Sequence, residues 1–315
     1  MPCIGQGVSF DFEFAFMLHN NLGGQGPDTG APESIRYVNV GAVFSQATGV
    51  IYFDIDLTAR TTYTPADSNA NGFVNGKFAQ VNLACGNTVG LRATLKRSCA
   101  TAPSCRSCDE GGFDPTQRAA CYAATCACYS TAKTTFGTCS TNSDITSAKA
   151  AYTCADLDTI LVLPGAALAS LTVFDLDTSP DGAYLEQLTV ADYEYFKTPL
   201  RPSSGNDIRS TVFANVKTRT FTGTQPGSDP DTADNPTDPL SLTDEQASRG
   251  VEFFFRPQDG SIEANFTVTY SGSGSCTGRN LMFAGDSALC APPPPMPPSP
   301  PPLPLFDAYL ADFDR

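Results

Sequence analysis

The 315-residue chain contains no tryptophan, a single histidine, and only 19 Lys and Arg residues against 33 Asp and Glu residues, which gives a net charge of −14. Nucleic-acid binding depends on clustered basic side chains that neutralise phosphates, so the sequence argues against such a partner. No run of 18 apolar residues occurs, and we therefore expect no membrane span. The missing tryptophan weakens a sugar-cleft interpretation, because such clefts commonly use flat aromatic rings.

Residues suited to catalysis are equally scarce. His19 is the only imidazole, and we interpret it as a turn residue that follows a strand. The chain has no G-x-S-x-G nucleophile motif. Asp11 and Glu13 on one strand face are only a weak indication of glycoside hydrolysis. We expect that the protein is not an enzyme, and we assign it no catalytic residue.

Cysteines are unusually numerous, and nine of the twelve lie between Cys85 and Cys154. An even number at this density predicts disulfides and an oxidising compartment. Zinc or redox chemistry at Cys105–Cys108 and Cys126–Cys128 is the alternative, although the second spacing is too short for a zinc knuckle. The pairing cannot be read from the sequence; Cys85–Cys99 and Cys276–Cys290 are plausible neighbours. The predicted disulfide cysteines are Cys3, Cys85, Cys99, Cys105, Cys108, Cys121, Cys126, Cys128, Cys139, Cys154, Cys276 and Cys290.

Cysteine usage therefore predicts a secreted, extracellular protein. The first residues, MPCIGQGVSFDFEF, lack the basic and apolar regions of a signal peptide. We expect that a leader was removed or that the sequence is a piece of a longer chain.

Alternating apolar and polar residues indicate many short strands. Such alternation runs through Val8–Phe16, Ile51–Leu57 and Val89–Leu95, and puts Asp54 and Asp56 on the face opposite Phe53 and Ile55. Further strands are predicted at Thr172–Leu176, Thr211–Phe221, Val251–Phe255 and Ser261–Tyr270. Gly, Pro and Asn separate these segments, and no βαβ rhythm appears. The pattern predicts an all-β fold, an antiparallel β-sandwich or jelly roll.

Composition divides the chain into five parts. Residues 1–98 and 155–290 supply the two parts of the sandwich, and residues 99–154 form a Cys-rich insertion with helices near 115–129 and 144–152. A separate Cys-rich subdomain is the alternative for that insertion. Residues 291–304 form a polyproline II linker, and residues 305–315 begin a further module or form a docking segment. Residues 225–244 predict a long loop, in which Thr243 and Gln246 could form a capping box.

An acidic stretch between two predicted strands is the best candidate for a metal site. Asp175, Asp177, Asp181 and Glu186 occupy positions 1, 3, 7 and 12 of a calcium loop. Closely spaced carboxylates suit Ca²⁺, which takes six to eight oxygen ligands. Pro180 stands where that loop requires glycine, so we predict a loop at a strand end rather than an EF-hand. Asp54 and Asp56 could add ligands, a solvated acidic turn is the alternative, and no other cofactor is expected.

Two modification signals complete the sequence. Asn265-Phe266-Thr267 is an N-glycosylation sequon, and strand periodicity points Asn265 away from the face that carries Phe266. Ten of the 13 residues in PPPPMPPSPPPLP, from Pro292 to Pro304, are proline. Such a run predicts an extended polyproline II rod.

The Pro-rich stretch, joined to a Cys-rich globular part, resembles extracellular hydroxyproline-rich glycoproteins of green algae. These include pherophorin-like cell-wall and matrix proteins and the surface proteins of flagellar mastigonemes. The stretch VSFDFEFAF, with FDLD at Phe174–Asp177, looks like β-rich domains of algal surface proteins. The resemblance implies hydroxyproline carrying arabinose or galactose at Pro292, Pro293, Pro294, Pro295, Pro297, Pro298, Pro300, Pro301 and Pro302.

The expected function is that of a structural subunit in an algal extracellular assembly: a mastigoneme, cell wall or matrix. It would act through protein–protein contacts and the glycosylated rod, with other extracellular glycoprotein subunits or copies of itself as partners. The alternative is a calcium-dependent carbohydrate-binding module with glycans as partners and with Asp175, Asp177 and Asp181 near the ligand.

Overall fold

A computed structural model shows the arrangement of the chain. It describes residues 7–9, 12, 15–45, 49–75, 77–98, 158–163, 168–227, 235–257, 259–273 and 276–285. The predicted insertion 99–154, its two helices and the segments 291–304 and 305–315 lie outside the described residues. Within the described residues, no helix is long and apolar enough to cross a membrane.

The described strands form two sheets that pack face to face. They are β1 (Gly7–Ser9), β2 (Phe16–Asn20), β3 (Ser34–Ser45), β4 (Gly49–Ala59), β5 (Gly72–Val74), β6 (Phe78–Leu83), β7 (Asn87–Arg97), β8 (Leu168–Phe174), β9 (Tyr184–Val190), β10 (Tyr193–Lys197), β11 (Val212–Asn215), β12 (Thr220–Gly223), β13 (Val251–Phe255), β14 (Ser261–Tyr270) and β15 (Arg279–Ala284).

Sheet A has the order β10-β13-β8-β15-β6-β5, and β1 pairs with β8 beside β15. Sheet B has the order β11-β12-β9-β14-β7-β4-β3-β2. All described strand pairs are antiparallel except β1 with β8. The predicted antiparallel β-sandwich is therefore confirmed. Strands from both halves of the sequence enter each sheet.

Strand periodicity explains the core. In β7 the predicted inward residues Val89, Leu91, Ala93 and Leu95 are all buried, and from Leu91 onwards they alternate with partly exposed residues. The inner faces enclose a cavity of about 40 Å³ lined entirely by apolar side chains, among them Leu57, Val173, Leu188 and Phe253. Near β12, Phe221 meets Phe196 and Phe253 edge-on, with ring centroids 4.8 and 4.7 Å apart.

Two predicted strands, Val8–Phe16 and Thr211–Phe221, each correspond to two separate strands, and a third is displaced. Val8–Phe16 is not one strand: β1 joins sheet A, β2 joins sheet B, and the buried Phe12 lies between them. Thr211–Phe221 is a hairpin, because the chain turns at Val216–Arg219 and Arg219 has a φ of 54°. The strand predicted at Thr172–Leu176 lies slightly earlier, as β8.

One helix lies in the predicted loop region. Helix α1 (Asp244–Ser248) begins after Thr243, whose side chain accepts a hydrogen bond from Gln246 N while Gln246 Oε1 accepts one from Thr243 N. This reciprocal pair satisfies two amide groups at the start of the helix. The predicted capping box is confirmed.

Candidate functional site

The acidic stretch forms a tight connection between β8 and β9. Asp175 has a φ of 59°, which turns the chain out of β8, and Gly182, with a φ of 70°, turns it back towards β9. Ser179 fixes the turn, because its Oγ accepts a hydrogen bond from Tyr184 N at 3.0 Å. Asp177 and Glu186 face each other across this connection, with Glu186 N bonded to Asp177 O at 3.1 Å.

Arg279, the first residue of β15, binds both of these carboxylates. Its Nε donates to Glu186 Oε1 at 2.6 Å, and its NH2 group donates to Asp177 Oδ1 at 2.8 Å. Asp177 N also donates to Glu186 Oε2 at 3.3 Å. The guanidinium lies over the ring of Tyr184, 4.4 Å from the centroid. We call Asp177, Glu186, Arg279 and Tyr184 the arginine cluster; its two carboxylates are buried.

A second arginine holds the start of the acidic connection. Arg249 is buried and lies 3.8 Å from Asp175 Oδ1. It also pairs with Glu245 and donates to Pro226 O at 2.9 Å. Arg249 therefore ties the connection to helix α1 and to the loop that follows β12.

The structure brings together only some of the predicted calcium ligands. Asp177 and Glu186 converge on Arg279, whereas Asp181 is exposed and accepts a hydrogen bond from Ala183 N at 3.0 Å. That hydrogen bond and one from Ser179 lower the pKa of Asp181. Within the described part of the chain, no three His, Cys, Asp or Glu side chains are grouped so as to hold a metal ion.

Calcium binding by this connection stays a prediction. If Asp181 takes part, saturating Ca²⁺ should raise the melting temperature of the unmodified protein, and Asp181→Asn should reduce that rise. Asp181 suits this test because, unlike Asp177, it is not engaged by Arg279. An unchanged melting temperature in Ca²⁺ would leave the connection as a charged turn held by arginines.

Asp54 and Asp56 belong to a different cluster, on the outer face of sheet B. Arg36 NH2 lies 2.9 Å from Asp54 Oδ2, and Lys96 Nζ lies 2.9 Å from Asp56 Oδ2. Asp54 also accepts a hydrogen bond from Asn39 N at 3.0 Å, where β3 bulges. Burial raises the pKa of Asp54, and the charge of Arg36 opposes that shift.

The arginine cluster contains two carboxylates for one guanidinium, and Glu186 is the more deeply buried of the two. Burial, with Asp177 and Asp175 nearby, raises the pKa of Glu186 from 4.5 to about 8, while Arg279 opposes the rise. The folded protein therefore holds a proton at Glu186 more tightly than the unfolded chain does. The stability from this group is complete below about pH 4.5 and is lost as the pH rises through 8.

We expect Glu186→Gln, which stays neutral and keeps the side chain's shape, to remove this pH dependence. The measurement is the urea midpoint of both proteins from pH 5 to 8.5. The unmodified protein should lose more stability over this range than the variant, because only it must ionise a second buried carboxyl, beside Asp177, at high pH. Parallel curves would contradict the assignment.

The predicted glycosylation site faces solvent. Asn265 is exposed in the middle of β14, between Gly90 of β7 and Thr189 of β9, while the neighbouring Phe266 is fully buried. A glycan there would project from the outer face of sheet B.

His19 lies within β2, so its interpretation as a turn residue after a strand is wrong. The alternation predicted at Val8–Phe16 ends where β2 begins, and the strand continues to Asn20. The His19 Nε2 atom lies 2.9 Å from Ser34 Oγ of β3, which links the two neighbouring strands.

Cys85 and Cys276 form a disulfide with their Cα atoms 6.1 Å apart. The two suggested neighbours, Cys85–Cys99 and Cys276–Cys290, are therefore wrong. Cys85 lies in the connection from β6 to β7 and Cys276 in the connection from β14 to β15. Both connections cross between the sheets, which brings residues 191 positions apart to the same end of the sandwich. The other ten cysteines lie outside the described residues.

The arginines of these clusters could not be found from sequence spacing. Arg279 lies 93 positions from Glu186 and 102 from Asp177, and meets them only when β15 pairs with β8 in sheet A. Arg36 and Arg249 were missed for the same reason. No strand is predicted from the sequence at Arg279–Ala284 either, so no sequence signal pointed to Arg279.

No family model matches the sequence, and no curated protein does. Among solved structures, the adhesin domain of PrgB from Enterococcus faecalis aligns with 80% of this chain at 13% identity and a TM-score of 0.36. The alignment covers 62% of that chain, so less than two thirds of its length is matched. At this score the function must be argued from the residues of the protein itself.

Proposed function

We propose that the chain is a non-catalytic structural subunit of an extracellular assembly. The observation that carries the proposal is the Cys85–Cys276 disulfide, which ties together two connections between the sheets. Disulfides persist in oxidising compartments, and a cross-link of this kind makes a fold durable outside the cell.

The internal charges support the same role. The carboxylates of Asp54, Asp177 and Glu186 are buried and each is bonded to an arginine. Pairs of this kind fix one arrangement of strands and connections. These acidic groups therefore serve the architecture.

A glycan on Asn265 would shield the middle of the outer face of sheet B. Protein contacts would then fall on the edges and ends of the sandwich. Intact mass reports the modification: Asn265→Gln should remove one glycan, whereas Thr267→Ser preserves the sequon and should keep it.

The Pro-rich segment would act as a spacer or docking rod. Its resemblance to hydroxyproline-rich proteins of green algae suggests an assembly of that type: a mastigoneme, cell wall or matrix. Hydroxyproline at Pro292–Pro302 with attached pentose is the modification to look for in material from the native source.

The mass of the protein in solution tests the proposal. The full chain should form particles larger than the monomer, and a chain that ends at Ala291 should form fewer of them. A full chain that stays monomeric at all concentrations would reject the structural role. Equal assembly by both chains would remove only the contribution of residues 292–315.

A second candidate is the calcium-dependent carbohydrate-binding module. The observation in its favour is that Tyr270, 40% exposed, lies directly opposite Tyr184 beside the acidic connection. Aromatic rings beside carboxylates suit a sugar ligand. Glycan binding that disappears with a chelator would support this candidate, and assembly without any sugar partner would favour the structural role.

A further inference from the structure

Strand β10 is an edge strand of sheet A, and strand β11 is an edge strand of sheet B. The two edges lie on the same side of the sandwich but differ in how well they are protected. Phe221 of β12 contacts Tyr193 and Phe196 of β10, with ring centroids 5.8 and 4.8 Å apart, which places β10 and β11 on the same side. An edge strand offers free amide and carbonyl groups, and proteins usually protect it with charges or bulges.

Strand β10 carries that protection. Its pairing with β13 shifts register between Tyr193 and Tyr195. Glu194 pairs with Arg256 at 3.4 Å, and Lys197 pairs with Glu252 at 3.3 Å. Tyr195 is stacked on Phe254, with centroids 4.2 Å apart. The bulge and the charges discourage a further strand at this edge.

Strand β11 has no register shift in its pairing with β12, and Val212, at its start, is bonded to the side chain of Ser210. Its sequence, Val-Phe-Ala-Asn, is uncharged, and within the described residues it pairs only with β12. The exposed fraction of Phe213 is 60% and that of Val216, in the following turn, is 63%. Exposed apolar side chains on an uncharged edge strand are typical of a site that accepts an added strand.

Basic side chains flank this edge. Arg209, Lys217 and Arg219 are exposed, and none of them forms an ion pair among the described residues. Most other described lysines and arginines do pair with carboxylates. Uncompensated positive charge in a chain of net charge −14 indicates an acidic partner at this edge.

The chain itself contains a segment of matching chemistry. Residues 305–315, LFDAYLADFDR, combine Leu, Phe and Tyr with three aspartates. They follow the Pro-rich stretch of 13 residues, which as polyproline II would span about 40 Å. The described chain leaves β15, which lies three strands or about 14 Å from the edge of sheet A at β10. As polyproline II, the Pro-rich stretch would be long enough to carry residues 305–315 past this molecule to a neighbouring copy.

We propose that residues 305–315 of one copy add as a strand to the β11 edge of a second copy. One face of such a strand would carry Phe306, Leu310, Asp312 and Asp314. Its apolar residues would cover Phe213, and its two aspartates would face Lys217 and Arg219. This inference rests on the proposed structural role and names the contact through which the subunits join.

The test uses a labelled peptide of residues 305–315 and the full chain, diluted until it is monomeric. The peptide should bind, and Phe213→Asp should weaken binding at least tenfold. Tyr195→Asp lies on β10, the protected edge on the same side of the sandwich. It is the matched control and should change binding less than twofold. Both sites are exposed, and equal melting temperatures will show that the variants fold.

A charge exchange adds a second readout. Lys217→Glu with Arg219→Glu should weaken binding, and a peptide with Asp312→Lys and Asp314→Lys should restore it. Absent binding, equal loss in Phe213→Asp and Tyr195→Asp, or no rescue would overturn the docking assignment. If the full chain still forms large particles in that case, the proposed function stands; if it stays monomeric, that function fails independently.

Discussion

Replacing Cys85 and Cys276 together by serine is expected to lower the free energy of unfolding by about 3–5 kcal/mol. The disulfide joins residues 191 positions apart, so it restricts a long stretch of the unfolded chain. It also holds two connections that each pass from one sheet to the other. Denaturant unfolding under non-reducing conditions measures the effect.

Ser273→Ala is the control, since Ser273 is exposed in the same connection as Cys276. It should change the free energy of unfolding by no more than about 0.5 kcal/mol. A double cysteine variant as stable as the unmodified protein would show that the sheets need no cross-link. Peptide mapping under the same conditions should recover Cys85 joined to Cys276.

Arg279→Met is expected to cost about 3–5 kcal/mol, because it leaves two buried carboxylates without their cation. Asp177 and Glu186 are nearly inaccessible to water, with side-chain exposures of 5% and 1%. The loss should be larger at pH 8 than at pH 5, since protonation of Glu186 relieves part of the uncompensated charge. Urea unfolding at the two pH values provides the comparison.

A triple variant with Asp177→Asn, Glu186→Gln and Arg279→Met should recover much of that stability, because no buried charge remains unpaired. Arg60→Met is the control: its pair with Glu263 lies at the surface and should contribute at most about 1 kcal/mol. Equal effects of Arg60→Met and Arg279→Met would contradict the structural importance of the arginine cluster.

Sequence periodicity predicted the sandwich because most strands bury one face. The strands β4, β7 and β14 lie where alternation placed them. The pattern failed where alternation continued through a change of direction. Val8–Phe16 alternates without interruption although the chain passes from sheet A to sheet B, and no Gly or Pro marks the turn at Val216–Arg219.

The site was less accessible to prediction. Closely spaced acids identified the connection between β8 and β9, yet their partners, Arg279 and Arg249, come from distant parts of the sequence. The pairing of Cys85 with Cys276 likewise depends on which connections cross between the sheets. Local spacing gives the types of residue in a site, whereas long-range topology decides what they contact.

We propose that this protein is built into an assembly outside the cell. The most direct measurement is cross-linking of intact cells of the native source with a reagent that cannot enter them, followed by peptide mass spectrometry. We predict cross-links from this chain to extracellular glycoprotein subunits or to its own copies. Contradiction would come from a protein that stays unlabelled until the cells are opened, or that is labelled on intact cells but is linked to nothing.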